Sequence, residues 1–390
     1  YLAITPDQKQ HYINATTGEI SPNVENEYAE LLARAYLDDN TSKLISVEKI
    51  EQFGETYGYI NRLLPVFRVK LDRPDGVEVI VDNRTRRLAS VDAPAGRLCT
   101  TLFDWFHRWS FLGNQFSTLR ITVVSIFSFL AIITGILGVI NLFAFRAKPK
   151  GGQKRKMAAA RKWHRRLRIF ALLFYFMFGI SAFYHVVYKF TGDDSPTWAS
   201  SQSVVVSSLT TPLHHAVTAI NTPVNELSLA VVDGIPLYRF AVAKRSSQPV
   251  YFDASTGQKS TISDASFATA LALEFSGYSA HDIDKVEPIF KFRNDYGFIF
   301  KRLPVWRVQF KNQEYWHYTV DTADAHMAMR MKPASLAETL SFINLHKLHF
   351  LDGLGKSTRD WVSVIAALSI ALISIFGLLI VVRKRKSSPL

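Results

Sequence analysis

Five of the eleven histidines lie at the ends of long apolar runs, where an imidazole could bind a metal beside a membrane. They are His107, His164, His185, His346 and His349. A neutral imidazole binds iron well, and a b-type haem in a membrane is normally held by two imidazoles on facing helices. An ionisable side chain in or beside a membrane helix is a functional candidate by default. We therefore predict that a subset of the five binds haem iron, and their spacing leaves the pairing open.

The distance between His164 and His185 excludes one haem shared by these two. They are 21 residues apart in one predicted helix, which is about 31 Å at ~1.5 Å per residue. Two haems, one near each face of a bilayer, would suit this distance. His107 and His346 precede two other helices on the opposite side from His164. His349 lies three residues after His346, which predicts a shared helical face.

The alternative role for these histidines is to anchor helix ends among lipid headgroups. Trp105, Trp109 and Trp163 lie beside them in the sequence, and amphipathic rings are enriched at both membrane interfaces. His164 also lies in a basic run, so a haem partner for it would have to come from a helix outside this sequence. The remaining histidines are expected to be structural: His11, His214, His215, His281, His317 and His326.

Three apolar runs are long enough to cross a bilayer, since a helix needs roughly 20 residues to span a ~30 Å hydrocarbon core. They are Ile121–Phe145, Ile169–Tyr188 and Trp361–Val382. None of them contains Asp or Glu, which argues against a transporter, because transporters use broken helices and intramembrane ion sites. Gly135, Gly138 and Gly377 are expected to let helices pack closely.

The net charge of +13 is concentrated in two places. Eleven Lys or Arg lie between Phe145 and Arg168 and four more in Arg383–Lys386, which leaves 31 cations against 33 acidic residues elsewhere. Basic clusters beside membrane helices mark the cytoplasmic side. The charge therefore predicts a topology with residues 1–120 and 191–359 outside, and it does not predict a nucleic-acid partner. Cys99 is the only cysteine, so no internal disulfide or thioether haem attachment is possible.

The parts outside the predicted membrane helices repeat each other at an ungapped offset of 239 residues. Tyr57–Arg68 resembles Tyr296–Arg307, and His107 corresponds to His346. Repeats of this length indicate tandem copies of one domain and its helix. Each copy is predicted to be a helix on an antiparallel sheet. In the first copy the helix is Asn23–Leu37, with Tyr28, Leu31, Leu32 and Ala35 on its buried face.

The two copies differ at their start, since Tyr1 aligns with Phe240 inside a predicted strand. We therefore expect the sequence to be a fragment whose missing part holds a fourth helix with counterparts of His164 and His185. The predicted boundaries follow the chain in order. They are a first periplasmic domain at 1–100, an outer interfacial helix at 101–117, a transmembrane helix at 118–145, a cytoplasmic basic loop at 146–166, a transmembrane helix at 167–190, a linker and second periplasmic domain at 191–338, an outer interfacial helix at 339–357, a transmembrane helix at 358–382 and a cytoplasmic basic tail at 383–390.

Short motifs in both copies resemble those of PepSY domains. Asn14–Gly18 and Asp253–Gly257 resemble the strand-turn signature, and Leu64–Val69 and Leu303–Val308 resemble the central strand. Trp163-His-Arg-Arg resembles the start of the PepSY-associated transmembrane helix. The resemblance covers nearly the whole chain. It implies a membrane α-helical bundle, with three spans seen and four expected in the full chain, that carries two duplicated periplasmic α+β PepSY-like domains.

One branch of this family contains iron-regulated proteins of the bacterial inner membrane that resemble di-haem ferric-siderophore reductases. Together with the histidines, the resemblance predicts a multi-pass reductase of the inner membrane. Electrons from a cytoplasmic-side donor, a quinol or a flavoprotein, would cross the lipid bilayer through two b-type haems. They would reduce a ferric siderophore or other ferric chelate in the periplasm, and hard oxygen ligands hold Fe(III) better than Fe(II). The alternative is a membrane-anchored PepSY binding or regulatory module without redox activity.

Overall fold

The computed structural model describes residues 1–390 except 6, 8, 23, 55–56, 115–116, 145–154, 192–197, 221, 243–247, 294 and 387–390. For 142–144, 155–162, 165, 381 and 383–386 it describes the backbone alone. The chain forms two compact units. The α+β unit consists of Tyr1–His107 and Ser195–Pro333, and the helical unit consists of Arg108–Asp194 and Ala334–Leu390.

The first segment of the α+β unit is a helix packed on an antiparallel sheet. Its elements are β1 (Leu2–Ile4), β2 (Gln10–Tyr12), α1 (Val24–Leu37), β3 (Leu44–Ile50), β4 (Val66–Leu71), β5 (Glu78–Asp82), β6 (Arg87–Asp92) and α2 (Pro94–Phe106). Strands β3 to β6 pair in sequence order, and β1 and β2 form a separate hairpin.

The core of this segment follows from the period-2 alternation of strand residues. Phe67, Val69 and Leu71 face α1, where Ala29 and Ala33 are fully buried. The two alanines leave room for the helix to approach the sheet closely. The buried face of α1 is therefore rotated about the helix axis relative to the predicted face. Two residues of the predicted face, Leu31 and Ala35, are exposed. Leu32 is buried and Tyr28 partly buried against the same core, as expected.

Two long helices follow, α3 (Thr118–Ala144) and α4 (Arg155–Tyr188). Helix α4 begins at Arg155, inside the segment 146–166 that was expected to be a loop, and residues 145–154 lie outside the described residues. Straight-chain cations such as Lys and Arg are good helix formers, so the basic run continues the helix.

The second segment of the α+β unit follows in the chain. Its elements are β7 (Trp198–Ala199), α5 (Leu213–Thr218), β8 (Val224–Val232), β9 (Ile235–Val242), β10 (Val250–Asp253), α6 (Asp264–Ser276), β11 (Ile283–Ile289), β12 (Val305–Phe310), β13 (His317–Asp321) and β14 (His326–Met331). The sheet order is β11-β12-β13-β14-β7, with β10-β9-β8 as a second sheet.

Ser263 caps α6 by accepting a hydrogen bond from the Ser266 amide, and Gly277 ends the helix with a positive φ of 67°.

The two segments have the same series of elements. Strands β11 to β14 begin 239 residues after β3 to β6, and the register irregularities at Leu44/Ser46 and Ile283/Lys285 are at the same offset. The offset fails at the first strand, because His11 pairs with Ala3 whereas Val250 pairs with Phe240. Ala3, and not Tyr1, therefore takes the position of Phe240. The connection between β1 and β2 is two residues shorter, which preserves the alternation of faces.

The chain ends with α7 (Pro333–Ser341) and α8 (Lys356–Lys386). Between them lie a π-helical turn, Phe342–His346, and a 3₁₀ turn, His349–Leu354. The predicted interfacial helix at 339–357 is therefore interrupted. The one predicted at 101–117 is interrupted too, because α2 ends at Phe106 and a 3₁₀ turn follows at Ser110–Leu112.

Helices α3, α4 and α8 are each long and apolar enough to cross a membrane, over Thr118–Asn141, Arg166–Thr191 and Lys356–Ile380. Helix α4 packs against both α3 and α8. At the α3 contact, a Cβ on Gly135 would lie 3.1 Å from Phe176 and Tyr175, so a larger residue there would require these rings to shift by a few tenths of an ångström. This confirms the prediction that Gly135 allows close packing.

Candidate functional site

Within the helical unit, two of the five predicted histidines lie beside one phenyl ring. His185 is near the end of α4, and His346 is the last residue of the π-helical turn. The Phe342 ring stacks on His185 with centroids 4.2 Å apart and on His346 with centroids 4.9 Å apart. Both imidazoles are half-buried. The structure thus brings together a pair that the sequence spacing could not assign.

The Nδ1 atom of His185 is held by the carboxylate of Glu338 on α7. The carboxylate accepts the hydrogen bond, so Nδ1 carries the hydrogen and Nε2 carries the lone pair of the neutral ring. The side chain of Glu338 is only 12 % exposed. A metal-binding histidine commonly donates its second ring nitrogen to a carboxylate in this way, which fixes the ring and raises its basicity.

The Nδ1 atom of His346 lies 3.3 Å from the hydroxyl oxygen of Ser181, which is fully buried on α4. The Ser181 hydroxyl donates its hydrogen to the Met177 carbonyl oxygen at 2.6 Å. The oxygen therefore acts as the acceptor towards His346, which assigns the hydrogen to Nδ1 and the lone pair to Nε2. His185 and His346 thus share one tautomer, and it is the form that suits an iron ligand.

His349 is in a different environment from His346, although three residues separate them. Leu348 has a positive φ of 56° and interrupts the helix, so the prediction that the two share a helical face is wrong. The Nδ1 atom of His349 lies 2.8 Å from Asp352 and 3.2 Å from the Arg359 guanidinium, which also pairs with Asp352. His349 therefore belongs to a polar cluster at the start of α8.

His164 lies on α4, where its Nε2 atom is 3.7 Å from the position that a Cβ on Gly377 would occupy. The glycine lets the imidazole pack against the backbone of α8. His107 is the C-cap of α2 in the α+β unit, and its exposed ring stacks on Phe103 at 4.7 Å. The structure does not place either beside another of the five histidines within its own unit.

Three residues that support the histidine pair were not identified from the sequence: Ser181, Glu338 and Phe342. Glu338 lies 153 residues after His185, and only the fold brings them together. The repeat gave no signal either, because Cys99 occupies the position in the first copy that corresponds to Glu338. Among the described residues there is no group of three or more His, Cys, Asp or Glu suited to a metal ion.

The tautomers of His185 and His346 are those that a b-type haem needs, but both rings stack face-on against Phe342, so the phenyl ring would have to turn away before the two Nε2 atoms could face one iron. Such a haem needs two neutral imidazoles, and both rings have their Nδ1 atoms directed at acceptors. His349 fits less well, because a guanidinium approaches its Nδ1 atom. Of the five candidates, His185 and His346 are thus the two whose hydrogen bonds leave Nε2 with the lone pair.

One family model matches the chain. The model for the PepSY-associated TM region covers residues 5–385. No curated protein and no solved structure matches the sequence. The family match and the three apolar helices identify a membrane protein. The resemblance seen in the short strand and turn motifs is confirmed over nearly the full length, and the chain belongs to the PepSY-associated transmembrane family.

Proposed function

We propose that the helical unit binds a b-type haem through the Nε2 atoms of His185 and His346. The observation that carries this proposal is the pair of half-buried imidazoles on one phenyl ring, with both Nδ1 atoms held by acceptors. When bound, the haem supplies one-electron chemistry. Glu338 and Ser181 would hold the two rings in the required tautomer and orientation.

The protein is then a reductase of the bacterial inner membrane that passes electrons to a ferric chelate, such as a ferric siderophore, in the periplasm. The family supports a membrane location, and the basic residues at the start of α4 and the end of α8 support a cytoplasmic position for those ends. The α+β unit would then face the periplasm as two duplicated PepSY-like domains. A quinol or a flavoprotein would donate electrons from the cytoplasmic side.

A second haem would be held by His164, near the opposite face of the bilayer from His185. His164 has a suitable position for this role because it lies before the Arg166–Thr191 span, at the opposite end from His185. His107 and His349 are then the less favoured ligands.

Haem content of the purified full chain tests the ligand pair. We expect a Soret band in the wild type, and the loss of most haem in His185→Ala and in His346→Ala. His281→Ala is the control, because His281 is exposed in the α+β unit. A wild type without haem after expression with added haem precursor would contradict the proposal. Equal haem in all three variants would contradict the ligand assignment.

The alternative is a membrane-anchored binding or regulatory module. It predicts a colourless protein whose activity survives replacement of the three spanning helices by an unrelated anchor. The histidine pair in the helical unit favours the reductase, because a simple anchor needs no tautomer-matched imidazoles.

A further inference from the structure

The α+β unit contains a cavity of about 760 Å³ between its first and second segments. The first segment contributes the β5–β6 turn and β6, and the second contributes residues of β8, β9 and β12 and of the segment before β12. This volume lies within the ~300–1,000 Å³ typical of sites for organic ligands. The proposed haem ligands are not part of its lining.

Positive charge dominates the lining. Arg86, Arg87, Arg239 and Lys301 face two carboxylates, Glu226 and Asp264. Asp264 already accepts hydrogen bonds from four groups: Arg239 at 3.2 Å, Tyr251 at 2.5 Å, Trp306 at 2.6 Å and Thr322 at 3.1 Å. Glu226 pairs with Arg86 at 2.7 Å. The two carboxylates of the lining are therefore paired, and Arg87 pairs with Asp321 outside the lining. Lys301, whose hydrogen bonds go to neutral acceptors, is left as the surplus positive charge.

Two guanidinium groups of the lining each have a buried nitrogen without a hydrogen-bond partner. Arg239 is 3 % exposed, and its buried Nη1 atom has no hydrogen-bond partner, although the Glu226 carboxylate forms a long ion pair with it at 3.8 Å. The Nη1 atom of Arg87 is also buried without a partner, while its Nη2 atom pairs with Asp321 at 2.8 Å. Burying a charged donor without a partner costs free energy, which an anionic acceptor would recover.

Lys301 joins the two segments at this cavity. Its Nζ atom donates to Asn61 Oδ1 at 2.7 Å and to the Ala89 carbonyl oxygen. Burial lowers the pKa of Lys301 to about 8, and the charge of Asp92 offsets this only in part. Both acceptors are neutral, so the ammonium group has no carboxylate in direct contact among these bonds. A bound anion would stabilise the charged form.

Three phenylalanines of the lining are exposed to an unusual degree. Phe290, Phe292 and Phe298 are 41 %, 40 % and 67 % exposed. In the first segment, the corresponding Phe53 and Tyr59 pack on each other edge to face at 5.2 Å. A cluster of exposed rings marks a contact surface for an apolar or aromatic partner. Rings and guanidinium groups together suit a ligand that combines aromatic faces with negative charge.

We propose that this cavity binds an anionic organic ligand with aromatic arms, of the class of ferric chelates with catecholate groups. The role of this ligand as the substrate of the reductase rests on the proposed function, whereas the binding of the ligand to the cavity does not. The cationic lining predicts discrimination against chelates of positive charge, since like charges repel across a desolvated site.

Calorimetric titration of the full chain in detergent tests the proposal. The probes are ferric tris(2,3-dihydroxybenzoate), which is an anion, 2,3-dihydroxybenzoate alone, and the cationic hydroxamate chelate ferrioxamine B. We expect the anionic complex to bind, with an affinity that falls as salt rises. Ferrioxamine B should bind at least tenfold more weakly. No binding of the anionic complex, or equal binding of ferrioxamine B, would overturn the proposal. Binding of the free acid as tightly as its complex would overturn the assignment to a chelate.

Two exposed lining residues provide the variants. Arg86→Gln and Phe298→Ala should each weaken binding of the anionic complex about tenfold, the loss of one charged or stacking contact. Arg293→Gln is the matched control, because Arg293 is exposed, pairs with Glu287 at 3.3 Å and lies outside the lining. Unchanged affinity in both lining variants would refute the site.

The calorimetric result is independent of haem. A haem-containing protein that does not bind the anionic complex would overturn the cavity assignment and leave the reductase proposal standing. A protein without haem that binds the complex would support the cavity and overturn the reductase.

Discussion

Glu338 determines which nitrogen of His185 is available to a metal. Its carboxylate accepts from Nδ1, so the lone pair resides on Nε2. The sequence showed the histidines as candidates because an imidazole at the end of an apolar run is uncommon. It did not show Glu338, since a partner 153 residues away has no local pattern.

At the residue scale, Glu338→Gln keeps an acceptor oxygen and removes the charge. We expect haem to bind about 10- to 100-fold more weakly, the usual effect of losing the partner of a metal-binding histidine. Haem transfer to apomyoglobin measures this, with Glu314→Gln as the control because its side chain is 69 % exposed. Equal transfer rates in the wild type and Glu338→Gln would remove Glu338 from the site.

The three spanning helices could be predicted because long apolar runs have few alternatives in lipid. The turns before α3 and α8 could not. Leu348 and Trp109 have φ values of 56° and 54°, a conformation that non-glycine residues rarely adopt. The local sequence contains no glycine or asparagine at either position to signal it, and the prediction that His349 follows His346 on one face was wrong for this reason.

At the element scale, the contact between α3 and α4 depends on Gly135. A Cβ there would meet Phe176 and Tyr175 at 3.1 Å, whereas a Cβ on Gly138 would meet only Leu172 at 3.9 Å. We expect Gly135→Ala to lower the free energy of unfolding by about 1–3 kcal/mol through overpacking. Gly138→Ala should be neutral or stabilising, because alanine is favoured over glycine in a helix by roughly 1 kcal/mol.

Thermal unfolding in detergent compares the two alanine variants directly, since they differ only in position along one helix. Equal melting temperatures for Gly135→Ala and Gly138→Ala would show that α3 does not pack on α4 at Gly135.

At the scale of the whole molecule, the α+β unit buries two histidines that were expected to be structural. Burial lowers the pKa of His317 to about 3, with Arg307 adding to the effect. Burial and Arg302 lower the pKa of His326 to about 4, against the opposing charge of Asp324. Both side chains lie in strands, and His317 is 1 % exposed with no hydrogen-bond partner for either ring nitrogen. His326 is the first residue of β14.

These pKa values predict acid sensitivity. An unfolded histidine has a pKa of about 6.5, so between pH 6.5 and pH 4 the unfolded chain binds more protons than the folded chain. The free energy of unfolding should therefore fall as the pH falls, by up to ~1.4 kcal/mol per pH unit for each histidine. His317→Leu should reduce this slope by about half, and urea unfolding from pH 4.5 to pH 7 measures it. An unchanged slope in the variant would contradict the burial of a neutral His317.

The repeat in the sequence predicted the same helix-on-sheet arrangement in both segments, and the strand offsets agree with it. It could not predict the shift at β1, where two fewer residues connect the strands, or the different chemistry of corresponding positions such as Cys99 and Glu338. An internal repeat specifies backbone arrangement, whereas the candidate site depends on the side chains at which the copies differ.

Ligation of one haem iron by His185 and His346 can be tested by electron paramagnetic resonance of the oxidised full chain. We predict a low-spin ferric signal of bis-histidine type that becomes high-spin in His185→Gly and returns to low-spin when imidazole is added. A low-spin signal that persists unchanged in both His185→Gly and His346→Gly would contradict the account.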